Sequence, residues 1–156
     1  METTLTAIEQ YQVTEVELIY KTKVKASKRS QILHSRDIYE VFIQSWDKNK
    51  IDFVEQFKIM LLNRSNRLLG IYEVSTGGLT GTIADPRIIF TAALKANAVS
   101  IALAHNHPSG DLKPSRQDEA LTQKIKNAGS FLDILVLDHV ILSTESYYSF
   151  ADEGLL

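Results

Sequence analysis

Two histidines in the segment His105-Asn106-His107-Pro108-Ser109-Gly110 are close enough in the sequence to bind one metal ion together. They directly follow residues 99–104 (VSIALA), a short and nearly all-apolar run that is typical of a central strand covered on both faces. Because alternate side chains of a strand point to the same face, we expect His105 and His107 to share one face at the strand end. Imidazole nitrogens in this arrangement suit a divalent metal such as zinc.

A carboxylate from the next predicted helix can complete this group of ligands. Ser115 has the side chain of a helix N-cap, so Asp118 lies in the first helical turn and returns towards the strand end. Two imidazoles and one carboxylate leave the fourth tetrahedral position of a zinc ion for water, as in catalytic zinc sites. The spacing of Ser115 and Asp118 is also typical of a capping box, in which both side chains only bond backbone N–H groups of the helix N-terminus. Ser115 can have both roles.

The charge pattern around the two histidines favours a metal site. Residues 96–110 contain no Asp, Glu, Lys or Arg. Polar side chains at the end of a buried strand need partners, and one metal ion supplies a partner to both His105 and His107. A further histidine, His139, lies next to a predicted strand, and we interpret it as a packed core histidine rather than a ligand.

A general base is predicted on a second strand. Residues 53–62 carry large apolar side chains at their odd positions except for Glu55, which therefore lies on the core-facing side. Burial raises the pKa of a carboxyl and suits it to proton transfer near neutral pH. The alternative is a glutamate at the strand end that reaches solvent. Glu73, which follows Leu69 and Ile71 on one face of the next strand, is the second candidate.

Hydrophobic patterns predict an α/β (α+β) fold with a mixed β-sheet sandwiched by helices. Three helices are expected after the N-caps Ser35, Asp85 and Ser115, and the third ends at about Gly129. The predicted strands cover residues 13–25, 53–62, 68–74, 79–83, 99–104, 131–137 and 140–142. We divide the chain into an N-terminal extension with one strand, residues 1–34, and a domain over residues 35–156.

Length and composition narrow the class of protein. A chain of 156 residues corresponds to one domain. It has no cysteine, which excludes a disulfide framework, a thiolate metal site and the C-x-x-C pair of a zinc deaminase. The net charge of −2 shows no basic excess of the kind that nucleic-acid binders carry. Without a signal peptide or an apolar run long enough to span a membrane, we expect a cytoplasmic location.

The motif at the strand end resembles that of a known family. His105-x-His107-Pro108, six residues and then Ser115-x-x-Asp118, with a glutamate upstream, resembles the JAMM motif of the JAB/MPN metalloproteases. Within this family, AHNHPSGDLKPSRQD is similar to the bacterial RadC-like branch, once named for DNA repair. The likeness extends to EQFKIMLLNRSNRLLG, DPRIIFTAALKANA and LDHVILS, and it covers about residues 35–156.

The resemblance implies a cytidine-deaminase-like MPN domain with one Zn²⁺ bound by His105, His107 and Asp118. It also implies Glu55 as the general base and Ser115 as a hydrogen-bond donor to the oxyanion. The implied activity is hydrolysis of a peptide or isopeptide amide bond in a protein or peptide substrate. The alternative is a non-catalytic metal-binding interaction module associated with DNA repair or mobile-element transactions.

A basic cluster near the N-terminus is the only feature of the sequence that suggests DNA contact. It consists of Lys21, Lys23, Lys25, Lys28 and Arg29. Lysines on an exposed strand more often prevent edge-to-edge aggregation than bind phosphate. Full-length RadC-like proteins usually carry an N-terminal helix-hairpin-helix segment, which residues 1–34 are too short to replace. We therefore expect weak DNA binding by this chain.

Charge reversal of the basic cluster tests this expectation. The chain should bind duplex DNA weakly at physiological salt, with an affinity that falls as salt rises, because phosphate contacts release counterions. Exchanging Lys21, Lys23 and Lys25 for glutamate should abolish the remaining binding in a fluorescence anisotropy titration. Tight binding that survives this exchange would contradict the expectation.

Overall fold

The structure is a computed structural model that describes residue 14 and residues 16–17, 19–78 and 81–156. Three α-helices in this part of the chain are α1 (Ser35–Ser45), α2 (Pro86–Lys95) and α3 (Arg116–Phe131). Five strands are β1 (Gln56–Leu62), β2 (Leu68–Thr76), β3 (Ser100–Asn106), β4 (Leu135–Leu142) and β5 (Tyr147–Ser149). A 3₁₀ turn at Ala26–Lys28 precedes α1. None of the helices in the described ranges is long and apolar enough to cross a membrane.

The strands form one mixed sheet in the order β2-β1-β3-β4-β5. β3 and β4 are parallel, and the other neighbouring strands are antiparallel. α1 packs on one face of the sheet, and α2 and α3 pack on the other. The predicted α/β architecture with a mixed sheet between helices is therefore confirmed. The apolar run forms the central strand β3, which is buried throughout and continues through His105 to Asn106.

The side chains of β1 alternate between two hydrophobic cores. Phe57, Ile59 and Leu61 pack beneath α2 and α3. Met60 and Leu62 pack against α1 on the opposite face. Because both faces are covered, β1 is buried along its whole length and holds the neighbouring β3 in a fixed antiparallel register.

Two of the three predicted helix starts are confirmed. The carboxylate of Asp85 accepts a hydrogen bond from the backbone N–H of Arg87 at 2.9 Å, and Pro86 occupies the first turn of α2. The hydroxyl oxygen of Ser115 accepts from the backbone N–H of Asp118 at 3.1 Å at the start of α3. Both helix starts could be predicted from the sequence because an N-cap side chain bonds only backbone groups within the next turn.

The prediction of Ser35 as the N-cap of α1 is wrong by one position. Ser35 is the first helical residue, and His34 precedes it as the N-cap. The backbone N–H groups of Leu33 and His34, just before the helix, donate hydrogen bonds to the carboxylate of Asp37, each at 2.8 Å. These two bonds lower the pKa of Asp37.

The strand predicted over residues 13–25 is not formed in its described part, residues 14, 16–17 and 19–25. Alternating polarity is not sufficient, because a strand also needs a hydrogen-bonding neighbour, and this segment is not part of the sheet. Val16 is 81% exposed. Residues 13, 15 and 18 of the same prediction lie outside the described residues. The basic cluster therefore protects no strand edge, and that interpretation of it is wrong.

Of two other predicted strands, the first is shorter than expected and the described part of the second forms no strand. The strand predicted over residues 53–62 begins only at Gln56, because residues 51–53 form a turn. Residues 81–83 form no strand, and residues 79 and 80, the rest of that prediction, lie outside the described residues. β2 is therefore an edge of the sheet that the described residues form.

The two strands predicted over residues 131–137 and 140–142 are one continuous strand, β4. Phe131 belongs to α3 instead, and its side chain is 89% exposed. Asp138 and His139 are buried and hydrogen-bonded to protein groups, so these polar residues continue the strand rather than interrupting it. The short strand β5, which pairs with the end of β4, was not predicted.

The predicted end of α3, at about Gly129, falls two residues before its actual end at Phe131, so Gly129 lies inside the last turn of the helix. A Cβ atom on Gly129 would lie 2.4 Å from the carbonyl oxygen of Ile134 and 3.3 Å from the ring of Phe90 in α2. The glycine therefore allows the chain that leads into β4 to pass close to the helix. Its role is close packing, not helix termination.

Gly129→Ala should destabilise the fold by about 1–2 kcal/mol, although alanine favours a helix by up to about 1 kcal/mol over glycine. The backbone oxygen of Ile134 cannot move aside as a flexible side chain could. Gly70→Ala on β2 is the matched control, because a Cβ there has open space and should change the free energy of unfolding by less than about 0.5 kcal/mol. Urea denaturation measures both, and equal stability of the two variants would contradict the packing role.

Candidate metal centre

His105 and His107 lie on one face at the end of β3, and Asp118 in the first turn of α3 meets them there. His105 Nε2 is 3.0 Å from His107 Nε2. The Asp118 carboxylate places Oδ1 3.4 Å from His105 Nε2 and Oδ2 3.6 Å from His107 Nε2. The three side chains therefore offer one ligand atom each within 4.8 Å of one another, as a single metal ion requires. The juxtaposition predicted from the spacing is present in the structure.

The group of three lies at the boundary between core and solvent. The His105 side chain is buried, whereas those of His107 and Asp118 are 18% and 16% exposed. The ring of Phe57 stacks on His105 with a centroid distance of 6.0 Å and an angle of 5° between the planes. The site is therefore closed on the core side and open on the side of His107 and Asp118.

The electrostatics of the three groups prepare Asp118 to bind a cation. Its partial burial acts to raise the pKa of the carboxyl, but contacts with His105 and His107 outweigh this effect and hold the pKa well below its usual range. In return, the carboxylate of Asp118 raises the pKa of His107 against the opposing effect of burial. Asp118 is consequently a carboxylate at neutral pH, which is the form that binds a metal.

The capping box at the start of α3 is also formed. The backbone N–H of Ser115 donates to Asp118 Oδ2 at 2.7 Å, and the Ser115 hydroxyl oxygen accepts from the backbone N–H of Asp118 at 3.1 Å. Asp118 Oδ1 remains directed to His105. The two interpretations of this motif are therefore compatible, because the capping box orients the carboxylate without occupying both of its oxygens.

Glu55 directly precedes β1 and is half-buried. The antiparallel register pairs Phe57 with His105, so Glu55, two residues earlier, lies level with His107. Its negative charge contributes to the raised pKa of His107. The carbonyl of Glu55 accepts a hydrogen bond from the N–H of Gly77 at 2.8 Å, which ties this residue to the end of β2. The structure thus brings the predicted base to the same end of the sheet as the histidines.

A family model described as "RadC-like JAB domain" matches residues 32–155, which is most of the chain. The chain belongs to this RadC-like JAB domain family. The resemblance inferred from the JAMM-like motif is therefore confirmed.

Curated relatives of this RadC-like JAB domain are named "UPF0758 protein". The one from Flavobacterium johnsoniae is 46% identical over 101 residues, which cover 65% of this chain and 44% of the relative. The relative from Symbiobacterium thermophilum is 43% identical over 103 residues, covering 66% and 44%. That from Chlorobaculum parvum is 44% identical over 102 residues, covering 65% and 46%. The matched part of the chain spans less than half the length of these relatives.

The second candidate base, Glu73, is not brought to the metal centre of this RadC-like JAB domain. Its carboxylate lies 4.0 Å from the amine of Lys58 and accepts a hydrogen bond from the Thr76 hydroxyl at 2.6 Å. The Lys58 amine in turn lies over the ring of Trp46, 4.4 Å from its centroid, in the core beside α1. His105 points to the opposite face of the sheet, where Phe57 stacks on it.

Asn106 is a positioning residue that sequence reasoning missed. It lies between the two histidines on β3, so its side chain points to the other face of the sheet. Its Oδ1 accepts from the N–H of Gln56 at 2.7 Å, and its Nδ2 donates to the carbonyls of Ile51 and Val54 at 2.6 and 2.8 Å. These three bonds fix the segment that carries Glu55. The missed signal was a polar residue at a position of the strand that points into the core.

His139 is the other residue whose contact with the site was not predicted from the sequence. It is fully buried, as expected of a core histidine, but its Nε2 lies 2.7 Å from Nδ1 of His105. Its Nδ1 lies 2.6 Å from the hydroxyl of Thr122 on α3. Burial, and next the nearby His105, lower the pKa of His139 well below its ordinary value. Only the parallel pairing of β3 with β4, which the sequence alone does not give, brings the two rings together.

Asn106→Ala should lower the free energy of unfolding by about 2–4 kcal/mol, because it leaves buried backbone groups without partners. Asn49→Ala is the control, since Asn49 is exposed and its loss should cost less than about 0.5 kcal/mol. Chemical denaturation of both variants measures the difference. A cost for Asn106→Ala as small as that for Asn49→Ala would show that the three bonds do not hold the segment.

Proposed function

We propose that this RadC-like JAB domain is a zinc-dependent hydrolase that cleaves a peptide or isopeptide amide bond. The observation that carries the proposal is the convergence of His105, His107 and Asp118 at a solvent-facing strand end, with Glu55 level with His107. JAB domains can be metallohydrolases, which agrees with this arrangement.

The donor set fits zinc better than calcium or magnesium. Calcium and magnesium prefer sites made of oxygen ligands, whereas two nitrogens and one carboxylate oxygen are typical of catalytic zinc. The capping box supports this fit because it holds Asp118 in place and leaves Oδ1 directed to His105. Three protein ligands leave one coordination position for a substrate or water.

The side chains have distinct roles in the proposed reaction. When bound, zinc lowers the pKa of water and polarises the scissile carbonyl. Glu55 takes the proton from the attacking water and delivers it to the leaving amine. The hydroxyl of Ser115 accepts a bond from the N–H of Asp118, and among the described residues none accepts its proton. That proton is free to be donated to the developing oxyanion, a contact that is worth roughly 10²-fold in rate or more.

Stoichiometric zinc is the first expected result. Protein purified without chelator, or reconstituted with zinc, should contain about one zinc per chain, because the three ligand atoms form one site. Elemental analysis measures this. A protein that takes up no zinc on addition of the metal would refute the proposed cofactor.

Glu55→Gln should lower hydrolysis by roughly 10²-fold or more, because the amide keeps the volume of the side chain but cannot accept a proton. Its zinc content should stay at the wild-type level, whereas Asp118→Asn should lose zinc affinity together with activity. Glu73→Gln is the matched control, since Glu73 contacts Lys58 on the other face of the sheet and should leave activity within about twofold. A screen of fluorogenic peptide and isopeptide substrates gives the readout.

The results for Glu55→Gln and for the wild type decide whether Glu55 is the base and whether the domain is a hydrolase. Full activity of this variant, or loss of its zinc, would show that Glu55 is not the base. Wild-type protein that binds zinc but cleaves no substrate in the screen would favour the non-catalytic interaction module.

A further inference from the structure

We propose that Thr122 and His139 are positioning residues that fix the tautomer of His105, so that its Nε2 atom carries the lone pair that binds the metal. The inference concerns residues outside the group of three ligands, and it rests on the proposed metal site. Its basis is a continuous chain of hydrogen bonds from the backbone of α3 through β4 to β3.

The direction of the first hydrogen bond is fixed by the chemistry of its acceptor. The Thr122 hydroxyl lies 2.6 Å from the backbone carbonyl of Asp118, one helical turn earlier. A carbonyl oxygen can only accept, so the hydroxyl uses its single proton on Asp118. Towards His139, Thr122 can therefore only accept a hydrogen bond. The Nδ1 atom of His139, 2.6 Å away, must carry a proton.

The second bond follows from the state of His139. Its ring is fully buried, stacked on Phe150 at 4.7 Å and edge-on to Phe57 at 5.4 Å. Its ring nitrogens contact only Thr122 and His105 among the described residues. An imidazolium without a carboxylate partner is costly in such surroundings, so the ring is neutral and Nε2 holds a lone pair. That lone pair accepts a hydrogen bond from the N–H of His105 Nδ1 at 2.7 Å.

The result is a defined tautomer of His105. With its proton on Nδ1, the neutral ring of His105 turns the lone pair of Nε2 towards the site, where it can accept a hydrogen bond from the N–H of His107 Nε2 at 3.0 Å. His107 carries a proton on Nδ1 as well, because this atom contacts the backbone carbonyl of Asp111, which can only accept. Metal-bound histidines usually donate their second N–H to a carboxylate, carbonyl or water. Here a neutral histidine, oriented by a threonine, takes that place for His105.

Thr122 also couples two elements that carry ligands. Through its hydroxyl proton it holds the carbonyl of Asp118 on α3, and through His139 it orients His105 on β3. Loss of the hydroxyl should therefore affect the choice of ligand atom without removing any ligand. This distinguishes a positioning role from a merely structural one.

Thr122→Val tests the inference, because valine keeps the shape and removes the hydroxyl, while Thr122→Ser is the matched control that keeps it. Long-range ¹⁵N–¹H NMR of the metal-free protein at mildly alkaline pH reports which ring nitrogen carries each proton. Wild type and Thr122→Ser should show His139 and His105 protonated on Nδ1. Thr122→Val should show a population of His105 protonated on Nε2. In a chelator competition its zinc affinity should fall by roughly 10- to 100-fold, against less than threefold for Thr122→Ser.

A second pair of variants keeps the test decisive if Thr122→Val does not fold. In His139→Gln, the amide can donate to Thr122 and its carbonyl can accept from His105, so this variant should keep the His105 tautomer. His139→Leu offers neither group and should lose it.

The outcomes separate this inference from the proposed function. Protonation of His105 on Nε2 in the wild type, or an unchanged tautomer and zinc affinity in Thr122→Val, would overturn the positioning role. A wild-type protein with the expected tautomers that binds no zinc would refute the metal site and, with it, the purpose assigned to the hydrogen bonds from Thr122 to His105. Zinc binding that weakens in Thr122→Val while hydrolysis is absent even in wild type would support the positioning role and refute the proposed hydrolase.

Discussion

The constraint on which the site depends is that a fully buried strand ends in two polar side chains and is followed directly by a third. His105, Asn106 and His107 point alternately to the two faces of the sheet, and the first two are almost inaccessible to water. A buried polar group without a partner costs more free energy than most single contacts return. The surrounding elements are therefore arranged so that each side chain finds hydrogen-bond partners: the segment before β1 for Asn106, β4 and α3 for His105, and the loop after β3 for His107.

This arrangement makes the metal centre part of the architecture rather than an addition to it. The bonds of Asn106 hold the segment before β1, which carries Glu55. The bonds of His139 and Thr122 connect the sheet to the helix that carries Asp118. The geometry of the candidate site is consequently set by groups whose hydrogen bonds would be required in the core even without a metal. Such preorganisation lowers the free energy that ordering of the ligands would otherwise cost on metal binding.

The sequence predicted those features that depend on neighbours within a few residues. The caps Asp85 and Ser115, the buried run before His105 and the approach of Asp118 to the histidines all follow from local patterns.

Features that depend on distant partners were not predicted. Residues 13–25 alternate in polarity, but their described part, residues 14, 16–17 and 19–25, pairs with no strand of the sheet. Gly129 was interpreted as a helix end because the approach of Ile134 depends on tertiary packing. The contact of His139 with His105 required the register of β3 against β4.

The capping box has a consequence for how this domain can change over evolutionary time. Asp118 satisfies the N-terminus of α3 whether or not a metal is present, so a descendant that had lost the metal would still be under pressure to keep an aspartate there. An aspartate at this position is thus poor evidence of an active descendant. Outside the group of three ligands His107 bonds only a loop carbonyl, and it is partly exposed, so drift can replace it at little cost to folding. The identity of that residue is the better indicator of retained chemistry.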